Sequence, residues 1–382
     1  MLSHQTFTHT ISSLLDGSKF HRARFQRLAF RLGSWCGPAL ALFALTANAS
    51  ADEPRLKIGM VAGVTSPLAS QATAVYRGAK MALAHSGASA PELILEDDGF
   101  MVKNAVPSFT KLADQHNVSG VIVFGSGQSL AISPVASKRR IPIIGLAMSD
   151  KLAVGTPFVY RLMVPARAQG ASLASEVTRR GYKRVAVFTT LIEAMTSVRD
   201  AFLPLAANIE IVANEEINPG DPEIRQSVAR VRSARPDAVL VLSVSPALAV
   251  VARQLRSQGW KGDFFGSLNI YTPSEIETAQ GAFEGSWFVG VDDSRTRILR
   301  EEYIRTFNEQ PLMETWMAYD AVMLMIPAIR SADPNLALQS ATNVAGLLGP
   351  YTITPEHDIQ IPAAINVVEG LSYHSGGSPA SE

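Results

Sequence analysis

The feature that most constrains the fold is a regular alternation of short apolar segments with longer amphipathic ones, which begins near residue 56. The apolar segments predict a buried strand at 56–62 and further strands at 92–96, 120–124, 141–145 and 158–161. Two segments between them, 72–84 and 103–115, carry apolar residues at helical spacing. Strands that alternate with helices of this length predict a parallel sheet with helices on both faces.

A second series of the same kind follows at once. Its predicted helices are 168–180, 196–207, 221–234 and 246–258, and its predicted strands are 184–188, 209–212, 237–242 and 263–266. Two series of similar size predict an α/β protein with two similar, doubly wound lobes. The remaining chain predicts helices at 297–308 and 317–332 and a short strand pair near 350–369. The Gly/Ser-rich tail, 372–382, is predicted to be disordered.

The first 51 residues are typical of a secretory signal peptide. Five basic residues precede an apolar run of about 14 residues, and Ala49-Ser50-Ala51 forms a small-x-small cleavage signal. We therefore expect cleavage after Ala51 and a periplasmic location without stable membrane insertion, because the apolar run is short for a bilayer. Cleavage would remove Cys36, the only cysteine, so the exported protein would have no disulfide, thiol nucleophile or lipid anchor.

Composition argues against several functions. Lys and Arg number 34, as do Asp and Glu, and the basic residues form no run interleaved with aromatics beyond the leader, so we expect no nucleic-acid partner. The four histidines beyond the leader, His85, His116, His357 and His374, lack ligand spacing. No nucleotide-binding, zinc-protease or hydrolase motif is present. The chain is therefore predicted to be neither an enzyme nor a metal or cofactor protein.

Two segments could suggest chemistry. Gly125-Ser126-Gly127-Gln128-Ser129 resembles a nucleophile turn but lacks its glycine pattern and a nearby histidine. Glu96-Asp97-Asp98 could be a metal or acid–base cluster, but a solvated turn after a strand is the favoured interpretation.

From about residue 56 to 369, the chain resembles the type I periplasmic binding proteins, in the leucine/isoleucine/valine-binding branch. The resemblance depends on the order and spacing of short segments: Arg55-Leu56-Lys57-Ile58-Gly59, Ser66-Pro67, Glu96-Asp97-Asp98, Gly125-Ser126, Ile141-Pro142-Ile143-Ile144 with Ala147-Met148-Ser149, Tyr160-Arg161 with Gln169-Gly170, Pro236-Asp237-Ala238-Val239, Phe283-Glu284-Gly285, Ala318-Tyr319-Asp320-Ala321, and Leu348-Gly349-Pro350-Tyr351 with Asp358.

This resemblance implies two lobes joined by a three-crossover hinge, with a small ligand held between them. The expected first lobe is 52–165 plus 292–345, and the second is 166–291 plus 346–371. It also implies a monomer that serves an ABC importer, whose permease and ATPase would be separate chains.

The first lobe supplies four candidate ligand contacts. In parallel sheets, ligands bind at the carboxyl ends of the strands, where helix N-termini expose N–H groups that suit a carboxylate. Ser126 follows the third strand and opens a helix. The resemblance adds Ala147, which would offer a backbone carbonyl, and Ser149, which would offer a hydroxyl. It also assigns Gln71 to a position where the family has an aromatic residue. For each, a residue that only caps a helix or completes a loop is the alternative.

The second lobe departs from the family pattern. Glu193-Ala194-Met195 stands where the branch has a Tyr-Gly pair. The segment Gly266-Ser267-Leu268-Asn269, where the resemblance implies an acid that meets a ligand ammonium, contains none, and Asn269 is the candidate ligand contact there. A buried ammonium without a carboxylate partner is costly. Either Glu193 takes this role, or the ligand is a small carboxylate, an amide or an aromatic acid. Glu193 could instead be a solvated loop charge. Three other functions stay open: a ligand-sensing receptor of the same fold, an exported enzyme, and a non-binding assembly factor.

Overall fold

The computed structural model describes residues 56–375 apart from 220, 222–223, 246, 269–271 and 343. These residues all belong to one compact unit, Asp52–Glu382. The predicted leader and its cleavage site, together with Asn269, lie outside the described residues.

Strands and helices alternate through most of the described chain. The strands are β1 (Lys57–Val61), β2 (Glu92–Glu96), β3 (Gly120–Phe124), β4 (Ile143–Leu146), β5 (Val159–Leu162), β6 (Arg184–Thr190), β7 (Glu210–Ile217), β8 (Ala238–Leu242), β9 (Asp263–Gly266), β10 (Trp287–Gly290), β11 (Val344–Gly346), β12 (Gly349–Ile353), β13 (Asp358–Gln360), β14 (Ala364–Glu369) and β15 (Ser372–Ser375). The helices are α1 (Ala69–His85), α2 (Val102–Asp114), α3 (Ser126–Arg139), α4 (Ala166–Arg180), α5 (Glu193–Phe202), α6 (Ile224–Ser233), α7 (Ala247–Ser257), α8 (Pro273–Thr278), α9 (Arg297–Phe307), α10 (Met313–Arg330) and α11 (Pro334–Gln339).

The first sheet has the order β11-β12-β13-β5-β4-β3-β1-β2. Strands β1 to β5 pair in parallel, β13 joins them parallel to β5, and β11 and β12 extend the edge in antiparallel fashion. Every residue of β3 is buried, because helices cover both faces of a parallel sheet.

Helices α1 and α10 cross closely on this first sheet. Gly78 of α1 lies against the backbone of α10: a Cβ at this position would stand 2.0 Å from the carbonyl oxygen of Thr315. Helix α10 also packs against β3 and β4. Glycine at position 78 is therefore required for the close approach of the two helices.

The second sheet has the order β15-β14-β10-β9-β8-β6-β7. Strands β6 to β10 pair in parallel, and β14 and β15 complete the sheet in antiparallel fashion. Its core contains many aromatic side chains, including Phe265 stacked on Trp287 with ring centroids 4.7 Å apart. The two sheets and their helices confirm the predicted fold class of two α/β lobes.

The C-terminal part of the chain differs from the predicted lobe boundaries. Residues 346–371 were assigned to the second lobe, but β12 and β13 lie in the first sheet, and only β14 and β15 join the second. The reason is the pairing of β13 with β5, which places Asp358 beside Arg161 and satisfies both buried charges. The final passage between sheets therefore falls between Gln360 and Ala364 rather than near residue 346.

The predicted disordered tail, 372–382, is wrong over its first four residues, and residues 376–382 lie outside the described residues. Ser372–Ser375 forms β15, paired with β14, and the Tyr373 ring packs edge-on against Phe288. None of the helices in the part of the chain that the structure describes has the length and apolar character needed to cross a bilayer.

Candidate functional site

A cavity lies where the carboxyl ends of strands from both sheets meet. It holds about 440 Å³ of empty space, part of it open to solvent. Most of its lining is apolar, and the polar side chains that described residues contribute are Gln71, Ser126 and Glu314. The lining residues are Leu68, Gln71, Phe100, Phe124, Gly125, Ser126, Leu146, Met148, Met163, Ile192, Ala194, Met195, Val244 and Glu314. A largely apolar hollow with a few polar groups at strand ends is typical of small-molecule sites.

Ser126 occupies the first position of α3, at the end of β3. The chain turns into the helix through Gly125, whose φ of 113° suits glycine. The Ser126 hydroxyl oxygen accepts hydrogen bonds from the backbone N–H groups of Met148, at 2.9 Å, and Ser149, at 3.3 Å. Both lone pairs are therefore used, and the hydroxyl proton is left to donate. Ser126 can accordingly offer an O–H to an anionic group at the start of a helix.

The loop after β4 is held in place by an ion-pair network centred on the buried side chains of Arg161 and Asp358. Arg161 is fully buried, donates to the carbonyl of Met148 at 3.3 Å, and pairs with Asp358 at 2.5 Å. Arg167 pairs with the other oxygen of Asp358 at 2.6 Å and also contacts Asp150. This network fixes the carbonyl of Met148 while Ser126 fixes its N–H, so the Met148 backbone is positioned on both sides.

The predicted first-lobe residues are found around the cavity. Gln71 and Ser126 line it directly. Ala147 and Ser149 lie on the loop after β4 but are buried outside the lining, where Ala147 belongs to the apolar core. The Ser149 hydroxyl instead donates to Glu193 of α5 at 3.0 Å. This contact connects the first sheet's loop to the first helix after β6.

Glu193 is engaged rather than open to the cavity. Besides Ser149, its carboxylate contacts Lys151 at 3.1 Å and Ser197 at 3.3 Å. Its side chain retains 26% exposure, and it does not line the cavity. Glu193 therefore connects α5, which follows β6 of the second sheet, to the loop after β4 of the first sheet.

The acid that does line the cavity is Glu314, which the sequence analysis did not single out. It lies in the first turn of α10 and is 1% exposed. Burial raises the pKa of Glu314 to about 7, since a low-dielectric environment disfavours the charged form. A usable signal existed: Glu314 is one of two acids, with Asp320, in the largely apolar segment Met313–Arg330.

Two phenylalanines in the lining were also missed. Phe100 follows β2 and has a positive φ of 55°, and its N–H donates to Asp98 at 3.0 Å. Its ring packs against Phe124, with centroids 5.7 Å apart. Asp98 is fully buried, so the acidic turn after β2 is partly structural rather than simply solvated.

Within the described part of the chain, no group of three or more His, Cys, Asp or Glu side chains is arranged to hold a metal.

Comparisons with known proteins agree with this architecture. The family described as periplasmic binding protein matches residues 55–370. A Leu/Ile/Val-binding protein, BraC3, from Rhizobium johnstonii is 24% identical over 261 residues, which cover 63% of this chain and 68% of that protein.

Solved structures show the same fold. The branched-chain amino acid transporter substrate binding protein LivJ from Streptococcus pneumoniae, in complex with isoleucine, has a TM-score of 0.78 at 20% identity, covering 84% of this chain and 99% of that one. An ABC transporter solute binding protein from R. palustris, in complex with benzoate, has a TM-score of 0.77 at 18% identity, covering 85% and 96%.

Proposed function

Because this chain belongs to the periplasmic binding protein family, we propose that it is an exported solute-binding protein that captures a small ligand between its two sheets for an ABC importer. The observation that carries the proposal is the cavity at the converging strand ends, with an apolar lining and the Ser126 hydroxyl at the start of α3.

The cavity favours a ligand with an apolar body and a carboxylate. Ser126 supplies an O–H, and the first amides of α3 supply N–H groups of the kind that bind anions. Phe100, Phe124 and Met148 supply apolar surface. Branched-chain or other amino acids and small carboxylates, including aromatic acids, meet these requirements. The solved structures with isoleucine and with benzoate support both possibilities.

The delivery step requires partners on other chains. We propose export with cleavage after Ala51, hinge closure around the ligand, and docking on a separate permease served by a separate ATPase. A deletion strain separates import from a purely sensing role. Loss of an importer's binding protein should reduce both uptake of the labelled ligand and growth on that ligand as the sole source of carbon or nitrogen. Loss of a sensor should leave the uptake unchanged.

Binding is tested by thermal unfolding of the protein purified from cells expressing the full chain. The panel contains amino acids, small carboxylates, amides and aromatic acids. A ligand that binds only the folded protein stabilises it by about 2.7 kcal/mol at 100-fold excess over its Kd. A panel without any shift would contradict a binding function and favour an assembly factor.

The Ser126 contribution is tested by a pair of variants on one helix. Ser126→Ala should weaken binding of a carboxylate ligand by about 10- to 150-fold, because a hydrogen bond to a charged group is worth roughly 1.5–3 kcal/mol. Ser133→Ala, two turns further along α3 and outside the cavity, should leave the affinity unchanged. Equal affinities for the two variants, measured by calorimetry, would place the carboxylate elsewhere.

A further inference from the structure

We infer that Glu314 is the acidic group that pairs with an amino group of the ligand, so that the cavity selects apolar amino acids over the corresponding acids without an amine. This inference rests on the proposed binding function and deepens it. The sequence has no acid in the second-lobe segment 266–269, where the family resemblance implies one. The inference assigns that role to Glu314 of α10, which packs on the first sheet.

The carboxyl group of Glu314 is buried, and one of its two oxygen atoms has no hydrogen-bond partner. No described residue donates a hydrogen bond to its Oε1 atom, which has no exposed surface. An unpaired acid in an apolar environment is unfavourable when it is ionised. The side chain lines the cavity and therefore faces the space that a ligand would occupy. A cationic group there would supply the missing partner.

The groups on neighbouring elements do not supply it. Glu314 also lines a second, adjacent cavity together with Glu277 of α8, Asp293, Arg300 of α9 and Tyr373 of β15. Arg300 is ion-paired with Asp293, and Tyr373 reaches the same aspartate at 3.5 Å. The described cation that lines this second cavity, Arg300, is thus already paired with an acid of its own.

The other acids near the cavity are also engaged. Glu193 is held by Ser149, Lys151 and Ser197. Asp320, two turns along α10 from Glu314, accepts from the N–H of Leu347 at 2.9 Å and from the hydroxyl of Tyr351. Asp98 also has a buried oxygen without a hydrogen-bond partner, Oδ2, but it does not line the cavity. Among the described acids, Glu314 is therefore the one that lines the cavity and has an oxygen left to accept from a ligand.

The rest of the cavity complements this assignment. Ser126 and the start of α3 suit a carboxylate, Glu314 suits an ammonium, and the remaining lining suits an apolar side chain. These three features together match an apolar α-amino acid.

The pairing makes binding depend on pH. Burial holds the pKa of Glu314 at about 7 in the free protein, whereas an ammonium partner requires the ionised form. Binding must therefore release a proton at low pH. The affinity for an amine-bearing ligand should rise as pH increases, with about 30-fold weaker binding at pH 5.5 than at pH 8.

The test compares matched ligands that differ only in the amine. L-leucine is paired with 4-methylpentanoate and L-phenylalanine with 3-phenylpropanoate, and calorimetry is done at pH 5.5 and pH 8. For the wild-type protein, at least one amino acid should bind more tightly than its partner acid. Glu314→Gln should weaken that amino acid at pH 8 by about 30-fold or more, abolish the pH dependence, and change the acid by less than about 3-fold.

A matched variant distinguishes the two cavities. Glu277→Gln removes an exposed acid that lines only the second cavity, so it should leave every affinity unchanged. Loss of binding in this variant as large as in Glu314→Gln would overturn the inference by placing the ligand in the second cavity.

The remaining outcomes separate this inference from the proposed function. If amino acids or acids bind the wild-type protein but Glu314→Gln binds them equally well, the inference fails and the binding function stands. If only the acids bind, the inference also fails. If neither series binds and the wider panel gives no shift, both fail together.

Discussion

Two buried carboxylates show how differently the fold treats acidic groups. Asp358 of β13 is 1% exposed, as is Glu314 of α10. Asp358 has two arginine partners, Arg161 and Arg167, within 2.6 Å. Glu314 has no described partner for Oε1, and its pKa is raised to about 7.

The difference separates two kinds of region. Around Asp358 the buried charges are paired and stabilise the fold, whereas around Glu314 an unpaired acid borders the cavity. The Asp358 region connects β5, β13 and the loop after β4, and its buried charges are ion-paired in a network that positions the Met148 backbone. The Glu314 region leaves a buried acid uncompensated beside a cavity, which lowers stability unless a ligand completes it. The expected consequences of removing each charge are therefore opposite in sign.

The largest effect is expected from Asp358→Asn. Loss of this carboxylate leaves Arg161 buried without its partner and should lower the unfolding free energy by about 3–5 kcal/mol. Asp150→Asn is the matched control, because Asp150 contacts the same two arginines but retains 33% exposure. Its loss should cost less than about 1 kcal/mol in urea unfolding. Equal losses for the two variants would show that burial of the pair does not set its contribution.

The next effect is a gain of stability. The folded-state pKa of Glu314, about 7, lies above its ordinary 4.5, so wild-type stability falls as pH rises through this window. Glu314→Gln removes the titration and should stabilise the ligand-free protein by about 3 kcal/mol at pH 8, with almost no effect at pH 4.5. Urea unfolding at both pH values measures this. A destabilised variant at pH 8 would mean that Glu314 has a structural partner after all.

The smallest effect is expected at Glu193, a partnered but partly exposed acid. Glu193→Ala should change the unfolding free energy by less than about 1 kcal/mol, since exposed ion pairs and hydrogen bonds contribute little. Lys151→Ala, which removes only the exposed partner, should change it less still. A loss of several kcal/mol for Glu193→Ala would make the hydrogen bond to Ser149 a main support of the contact between α5 and the loop after β4.

Much of the fold was predictable because local patterns matched the tertiary structure. The predicted segments 92–96, 120–124 and 263–266 coincide with β2, β3 and β9, because each is a short, largely apolar run bounded by polar or turn residues. The position of Ser126 at a strand end was also predictable, because β3 and the turn at Gly125 are local features.

The remainder depends on contacts between distant parts of the chain. The assignment of 346–360 to the first sheet follows from the pairing of Asp358 with Arg161, which no local pattern encodes. Glu314 could not be placed in the cavity from sequence, because its burial results from the packing of α10 against α1 and the first sheet. The tail strand Ser372–Ser375 depends on Tyr373 packing against Phe288.

The close approach of α1 and α10 at Gly78 bears on the order in which ligand contacts would form. Since a Cβ at position 78 has no room beside Thr315, the two helices reach this distance only with glycine there, and each carries a side chain that lines the cavity, Gln71 or Glu314. The described polar side chains of the lining, Gln71, Ser126 and Glu314, all lie on helices of the first sheet. Under the proposed closure, we expect these polar groups to orient a ligand first, and the apolar side chains of Ile192, Met195 and Val244 to cover it afterwards.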